Sequence, residues 1–168
     1  YMIKDILEKQ GIKVGLIGTV ASYVGDKKIA NNENTTPESL KLQEIFNKML
    51  DEKCEVVVME VSSQSLKLDR VAGCDFDYGI FTNLAEDHIS TKEHPDMEDY
   101  FQSKVKLFKM CKKGFINADD IYAITIPKLV PECQFLSFGI DNHCDLLAKD
   151  ITVTNQYVDF KVKLGDKN

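Results

Sequence analysis

Four consecutive apolar residues, Val56-Val57-Val58-Met59, lead directly into an acid and two hydroxyls, Glu60, Ser62 and Ser63. This stretch constrains the chain more than any other. A β-branched run without polar alternation reads as a strand covered on both faces, the type found in parallel sheets. Parallel neighbours need crossover connections, usually helical, so the run commits its surroundings to alternating strands and helices. Such sheets bind ligands just outside the carboxyl ends of their strands. Glu60 and Ser62 therefore stand where chemistry is expected. A second apolar stretch, Tyr78 to Asn83, leads in the same way to Asp87 and His88.

The remaining sequence extends this pattern. Residues 1–10 read as an amphipathic helix with Ile3, Ile6 and Leu7 inward, stopped by Gly11. Val14 to Ile17 is a strand, and residues 20–36 read as polar loop. Thr36-Pro37-Glu38-Ser39 supplies a threonine cap with proline at the first helical position. The helix it opens runs to about Glu52 and buries Leu40, Ile45 and Leu50, or a neighbouring stripe. A short helix follows the valine strand through Leu68. Asp96 to Lys113 reads as one long helix, Phe115-Ile116 starts a strand before Asn117-Ala118-Asp119-Asp120, and Gln134 to Phe138 is another strand. Ile151 to Thr154 and Val158 to Val162 alternate with period two across Asn155-Gln156, the signature of an antiparallel hairpin. The expected fold is α/β: a mainly parallel, doubly wound sheet over residues 1–144, with a β-hairpin portion at 145–168.

Composition excludes several classes of function. The chain has 168 residues, 43% hydrophobic and 29% charged, which suits a packed core rather than disorder. A net charge of -6 with no basic stripe argues against a nucleic-acid partner. No apolar run approaches the ~18 residues of a membrane span, and no signal-peptide pattern is present. The five cysteines, Cys54, Cys74, Cys111, Cys133 and Cys144, are odd in number and lack CxxC spacing. That points to free thiols in a reducing, cytoplasmic setting. The phosphate-loop pattern GxxxxGK[ST], the dinucleotide pattern GxGxxG and the hydrolase elbow GxSxG are all missing. Tyr1 opens what reads as mid-helix with no cap ahead of it, so a truncated fragment of a longer protein is expected.

Each chemistry-bearing position has a bland reading beside the functional one. Glu60 is a hard-cation ligand or a turn-capping acid. His88 is a metal ligand oriented by Asp87 or a solvated loop histidine, whereas His94 and His143 lie at no strand end. Lys104 shares a helix face with Phe101, Val105 and Phe108 at ~100° per residue. A lysine on an apolar stripe snorkels, pairs or loses its charge. A lysine that loses its charge can react with CO₂ to form a carbamate, a carboxylate-like metal ligand. Asn34, Thr35 and Thr36 at a helix N-terminus anchor a ligand's oxygens or merely cap the helix. Arg70 clamps an anion or is a solvated charge beside Asp69.

Several blocks occur in a characteristic order: Asn34-Thr35-Thr36-Pro37-Glu38-Ser39, Met59-Glu60-Val61-Ser62-Ser63, Phe81-Thr82-Asn83-Leu84 with Asp87-His88, Met97 to Phe101 with Lys104, and Ile116 to Asp120. Together they resemble the central ATPase domain of the Mur ligase family, in its tripeptide-synthetase (MurE-type) branch, over nearly the whole chain. The resemblance implies a P-loop-NTPase-like domain whose phosphate loop lies ahead of Tyr1. It implies an ATP-dependent ligase of peptidoglycan synthesis, monomeric in its full-length form, that phosphorylates UDP-MurNAc-L-Ala-D-Glu and joins it to a diamino acid, L-lysine or meso-diaminopimelate. It assigns Glu60, His88 and a carbamylated Lys104 to Mg²⁺, and Asn34, Thr35, Thr36, Ser62 and Arg70 to the muramyl-peptide substrate. Many members carry His and Gln where this chain has Gln64 and Leu68. Another Mur-type ligase, a folylpolyglutamate-type ligase and a non-catalytic module that has lost its phosphate loop remain the alternatives.

Overall fold

The computed structural model describes residues 1–91 and 93–165, and its contacts group into two compact units, Tyr1–Gly73 and Cys74–Asn168. Residues 166–168 of the expected hairpin segment lie outside the described residues. Both units are α/β with parallel pairing, as the sequence led us to expect.

In the first unit, α1 (Met2–Glu8) ends before Gly11, whose φ of +82° suits the helix stop. Ile3 and Ile6 are exposed rather than inward, and Lys4 is the buried residue. Its ammonium lies 2.6 Å from Glu8 and 3.6 Å from Asp26, which compensates the burial. Strand β1 (Val14–Ile17) runs parallel to β4 (Val56–Met59), from Val14 opposite Val56 to Ile17 opposite Met59. The stretch expected as loop instead contains β2 (Ala21–Val24) and β3 (Lys27–Asn31), giving the sheet order β3-β2-β1-β4. The two-residue link Gly25-Asp26, with Gly25 at φ +55°, is the short-hairpin turn that makes this possible. Helix α2 (Ser39–Asp51) buries Leu42, Ile45 and Met49 and leaves Leu40 and Leu50 exposed. Its N-cap is Glu38, so Thr36 does not cap it. Val57 stays 38% exposed, so β4 is not covered on both faces. The short α3 (Ser63–Lys67) follows, capped by Ser62, whose hydroxyl accepts from the Ser65 amide.

The second unit has sheet order β5-β6-β7-β8-β9. Strands β5 (Phe76–Phe81), β6 (Cys111–Asn117), β7 (Gln134–Gly139) and β8 (Leu146–Val153) pair in parallel, and β9 (Val158–Leu164) returns antiparallel to β8. The long helix expected over 96–113 stops early: α4 spans Met97–Val105, tightens into a 3₁₀ turn over Lys106–Met110, and β6 begins at Cys111. A second 3₁₀ turn (Ala123–Thr125) and α5 (Ile126–Leu129) link β6 to β7. The tightened turn delivers Phe108 onto Gly79 and Gly114, which are register partners on β5 and β6. Phe81, Phe101, Val105, Phe108, Ile116 and Ile126 form the core there. Among the described residues, no helix is long and apolar enough to cross a membrane.

A Cβ at Gly114 would collide with the Phe135 ring and lie 2.8 Å from Phe108. Gly114→Ala is therefore expected to destabilise this unit by about 1–3 kcal/mol through overpacking. Urea unfolding checks this; an unchanged midpoint would show that both rings relax freely.

Candidate active site

The structure assembles the expected site residues into two sets, one in each unit. In the first, Thr36 is the organising side chain. It is fully buried, and its hydroxyl donates to the Glu60 carbonyl at 3.0 Å and accepts from the Ser62 amide at 2.9 Å. One hydroxyl thus fastens the 34–38 segment to the end of β4 and the start of α3. The Glu60 amide also bonds to the Ile17 carbonyl at 3.0 Å, which carries the β1–β4 ladder to the acid. The Glu60 side chain is exposed and accepts from Thr19 Oγ1 at 2.9 Å, while Thr19 Oγ1 lies 3.3 Å from Thr35 Oγ1. Asn34 is exposed on the rim of a hollow of about 240 Å³ lined also by Asn32, Pro37, Glu38 and Lys41.

Arg70 closes this set. Its side chain is only 11% exposed, with Nη2 2.8 Å from Glu38 Oε1 and Nη1 a long 3.5 Å from the Thr36 carbonyl. Its Nε is buried with no hydrogen-bond partner among the described residues. A buried donor left unpaired costs on the order of 1–3 kcal/mol, so an acceptor atom at this point would recover stability.

The second set surrounds Tyr100, on α4. Asn117 and Asp120 first fix the loop that follows β5: Asn117 Nδ2 donates to the Thr82 carbonyl at 2.9 Å, and Asp120 accepts from the Leu84 amide at 2.8 Å. The loop then carries Asp87 and His88 back to α4. His88 Nδ1 lies 2.8 Å from Glu93 Oε2, and its Nε2 faces Asp87 Oδ1 at 3.9 Å. Lys104 Nζ lies 5.0 Å from the Tyr100 ring centroid and 5.9 Å from that of Phe81, within cation–π range. Burial pushes the Lys104 amine below its ordinary value, against the pull of Asp87 and Asp120. Burial, with Asp87 beside it, pushes the Tyr100 phenol up to about 12.

The donor chemistry of these side chains fits a hard divalent cation. Glu93 on Nδ1 leaves Nε2 as the ring atom for a ligand, the usual arrangement of a carboxylate behind a metal-binding imidazole. Glu60 offers carboxylate oxygens steadied by a hydroxyl. Among the described residues, no three His, Cys, Asp or Glu side chains are grouped to hold a metal. Lys104 is not of those types, and it joins the ligand chemistry only as a carbamate.

Three contributors escaped the sequence reading. Thr19 falls between the strand and the loop read from the sequence, and its hydroxyl supports Glu60. His94, read as bland, is fully buried, with Nδ1 2.6 Å from Asp99 Oδ2 and its ring 4.9 Å from that of Tyr100. Tyr100 itself was visible in principle, since it lies one helical turn before Lys104.

Comparison with known proteins identifies the family. The family model described as the Mur ligase middle domain matches residues 1–168, the whole chain. A UDP-N-acetylmuramoyl-L-alanyl-D-glutamate--2,6-diaminopimelate ligase from Clostridium botulinum is 47% identical over 95% of this chain and 32% of its own length. One of the same name from Caldanaerobacter subterraneus subsp. tengcongensis is 47% identical over 99% of this chain and 34% of its own. The chain thus spans about a third of the length of these curated relatives. A solved structure of a ligase of that name superposes with a TM-score of 0.85 at 23% identity, covering 96% of this chain and 33% of that one, and shares the fold. With a family-model match along its entire length and relatives 47% identical over nearly all of it, the chain belongs to the Mur ligase middle-domain family.

Proposed function

We propose that this chain forms the middle domain of an ATP-dependent ligase that joins 2,6-diaminopimelate to UDP-N-acetylmuramoyl-L-alanyl-D-glutamate, a cytoplasmic step of peptidoglycan synthesis. The observation that carries the reading is 47% identity, along nearly the whole chain, to ligases bearing that name. Those names favour diaminopimelate over L-lysine as the diamino acid. Residues 1–144 make up the body of the domain and 145–168 its hairpin portion. The ligase works as a monomer without nucleic acid, and five free thiols suit a reducing cytoplasm.

In this reading one of the two free carboxylates of the glutamyl residue attacks the γ-phosphorus of ATP, and ADP leaves. An amine of diaminopimelate then attacks the acyl-phosphate carbon, phosphate departs, and the nitrogen loses a proton to solvent. Mg²⁺, when bound, neutralises charge between the two anionic reactants. Glu60, His88 and carbamylated Lys104 would hold it. Asn34, Thr35, Ser62 and Arg70 bind the muramyl peptide, and Thr36 fixes the segment that presents them. The unpaired Arg70 Nε supports an anionic or carbonyl oxygen at that place.

The assay is phosphate release by the full-length ligase in the presence of ATP and the UDP-linked dipeptide. Diaminopimelate should drive it well above L-lysine. Release driven instead by glutamate with a folate, or none with any amine, would overturn the reading. Arg70→Ala should raise KM for the UDP-linked dipeptide about 10- to 100-fold, the loss expected for a charge-assisted hydrogen bond, and leave KM for ATP little changed. A selective loss of ATP affinity would remove Arg70 from the dipeptide site.

A further inference from the structure

We infer that Tyr100 is a positioning residue that sets His88 and Lys104 in one fixed arrangement, an inference that rests on the metal-site reading above. Four polar partners meet on this one side chain. Lys104 Nζ stands 5.0 Å from its ring centroid. The His88 ring meets it edge-on, with centroids 5.4 Å apart and planes at 63°. The His94 ring lies against it at 4.9 Å and 32°. Its hydroxyl donates a long 3.4 Å hydrogen bond to Asp87 Oδ1, and Asp87 neighbours His88 in the chain.

The Tyr100 residue is 3% exposed, yet its ring meets two of the three residues assigned to the cation, Lys104 and His88. Its own place is secured from behind. His94 is wholly buried and held by Asp99 at 2.6 Å, and Asp99 in turn donates its amide to the Asp96 cap at 2.8 Å. The N-terminus of α4 thus fixes His94, His94 backs Tyr100, and Tyr100 carries Lys104 on its face and His88 on its edge. A lysine has several rotatable bonds, and the Glu93 contact to one ring nitrogen of His88 still allows the imidazole to turn about it. One rigid ring between them removes much of that freedom before any ligand arrives.

The test compares Tyr100→Phe with Tyr100→Leu, and uses Tyr100→Met if the leucine variant loses its dispersed spectrum. Protons over an aromatic face resonate upfield, so the Lys104 ε-protons of this chain, observed through selectively labelled lysine, report the contact directly. They should be upfield in the wild type and in Tyr100→Phe, and return to ordinary lysine positions in Tyr100→Leu or Tyr100→Met. Mn²⁺ broadening of the His88 ring signals should persist in the phenylalanine variant and weaken in the others. In the full-length ligase, kcat should fall about 100-fold without the ring, the scale of a small misplacement, while KM for ATP and the phenylalanine variant stay near wild type. Ordinary lysine shifts in the wild type, or full turnover in a folded variant without the ring, would overturn the inference. Upfield shifts that depend on Tyr100, with no Mn²⁺ effect at His88, would uphold the positioning and overturn the metal reading.

Discussion

Lys104→Ala is expected to lower turnover of the full-length ligase by about 10²- to 10³-fold, the range lost when one preorganised charge-stabilising group is removed. Acetate or formate should restore part of the activity. The reasoning starts from the helix. Phe101, Val105 and Phe108 are buried on one stripe, and Lys104 shares it without reaching bulk water freely. Burial lowers its pKa, so at a given pH a larger share of the amine is neutral than for a solvated lysine. Only the neutral amine attacks CO₂: nitrogen bonds to carbon, one proton leaves, and the cation becomes an anionic oxygen ligand. Alanine removes that ligand and leaves space that a short carboxylate can enter. Wild-type turnover, or a loss that no small carboxylate relieves, would contradict the carbamate role.

His88→Ala should raise the Mg²⁺ concentration needed for half-maximal activity about 10- to 100-fold, on the scale reported for changes around metal ligands. His143→Ala should leave it unchanged. The contrast follows from position. His88 is anchored by Glu93 on one nitrogen and meets Tyr100 edge-on. His143 is exposed in the turn between β7 and β8. A magnesium titration of phosphate release separates the two, and equal effects would take His88 out of the site.

Several parallel strands were legible because they read as short apolar runs, even where, as at Val57, a face stays exposed. Val56–Met59, Phe76–Phe81 and Gln134–Gly139 were found within two residues. The β2–β3 hairpin was missed, because four- and five-residue strands offer too few repeats for a period-two signal and Gly25-Asp26 was passed over as turn chemistry. Lys104 was singled out by its place on an apolar stripe, and its amine does lie against the Tyr100 and Phe81 rings, although the helix was read too long. The stripe survives the change to 3₁₀ geometry because Phe108 is drawn onto two glycines that no helical pattern could reveal. Thr36 was read as a helix cap from its neighbour Pro37. Its true partners, the Glu60 carbonyl and the Ser62 amide, lie 24 and 26 residues away, and local sequence carries no trace of them. His94 was set aside for the same reason: being at no strand end said nothing about an aromatic ring waiting on α4.

The most direct measurement is the anomalous scattering of Mn²⁺ in crystals of the full-length ligase. One peak coordinated by the Glu60 carboxylate, by His88 Nε2 and by new density continuing from Lys104 Nζ is the expected result. A peak bound to other groups, with Lys104 ending as a bare amine on the Tyr100 ring, would contradict it.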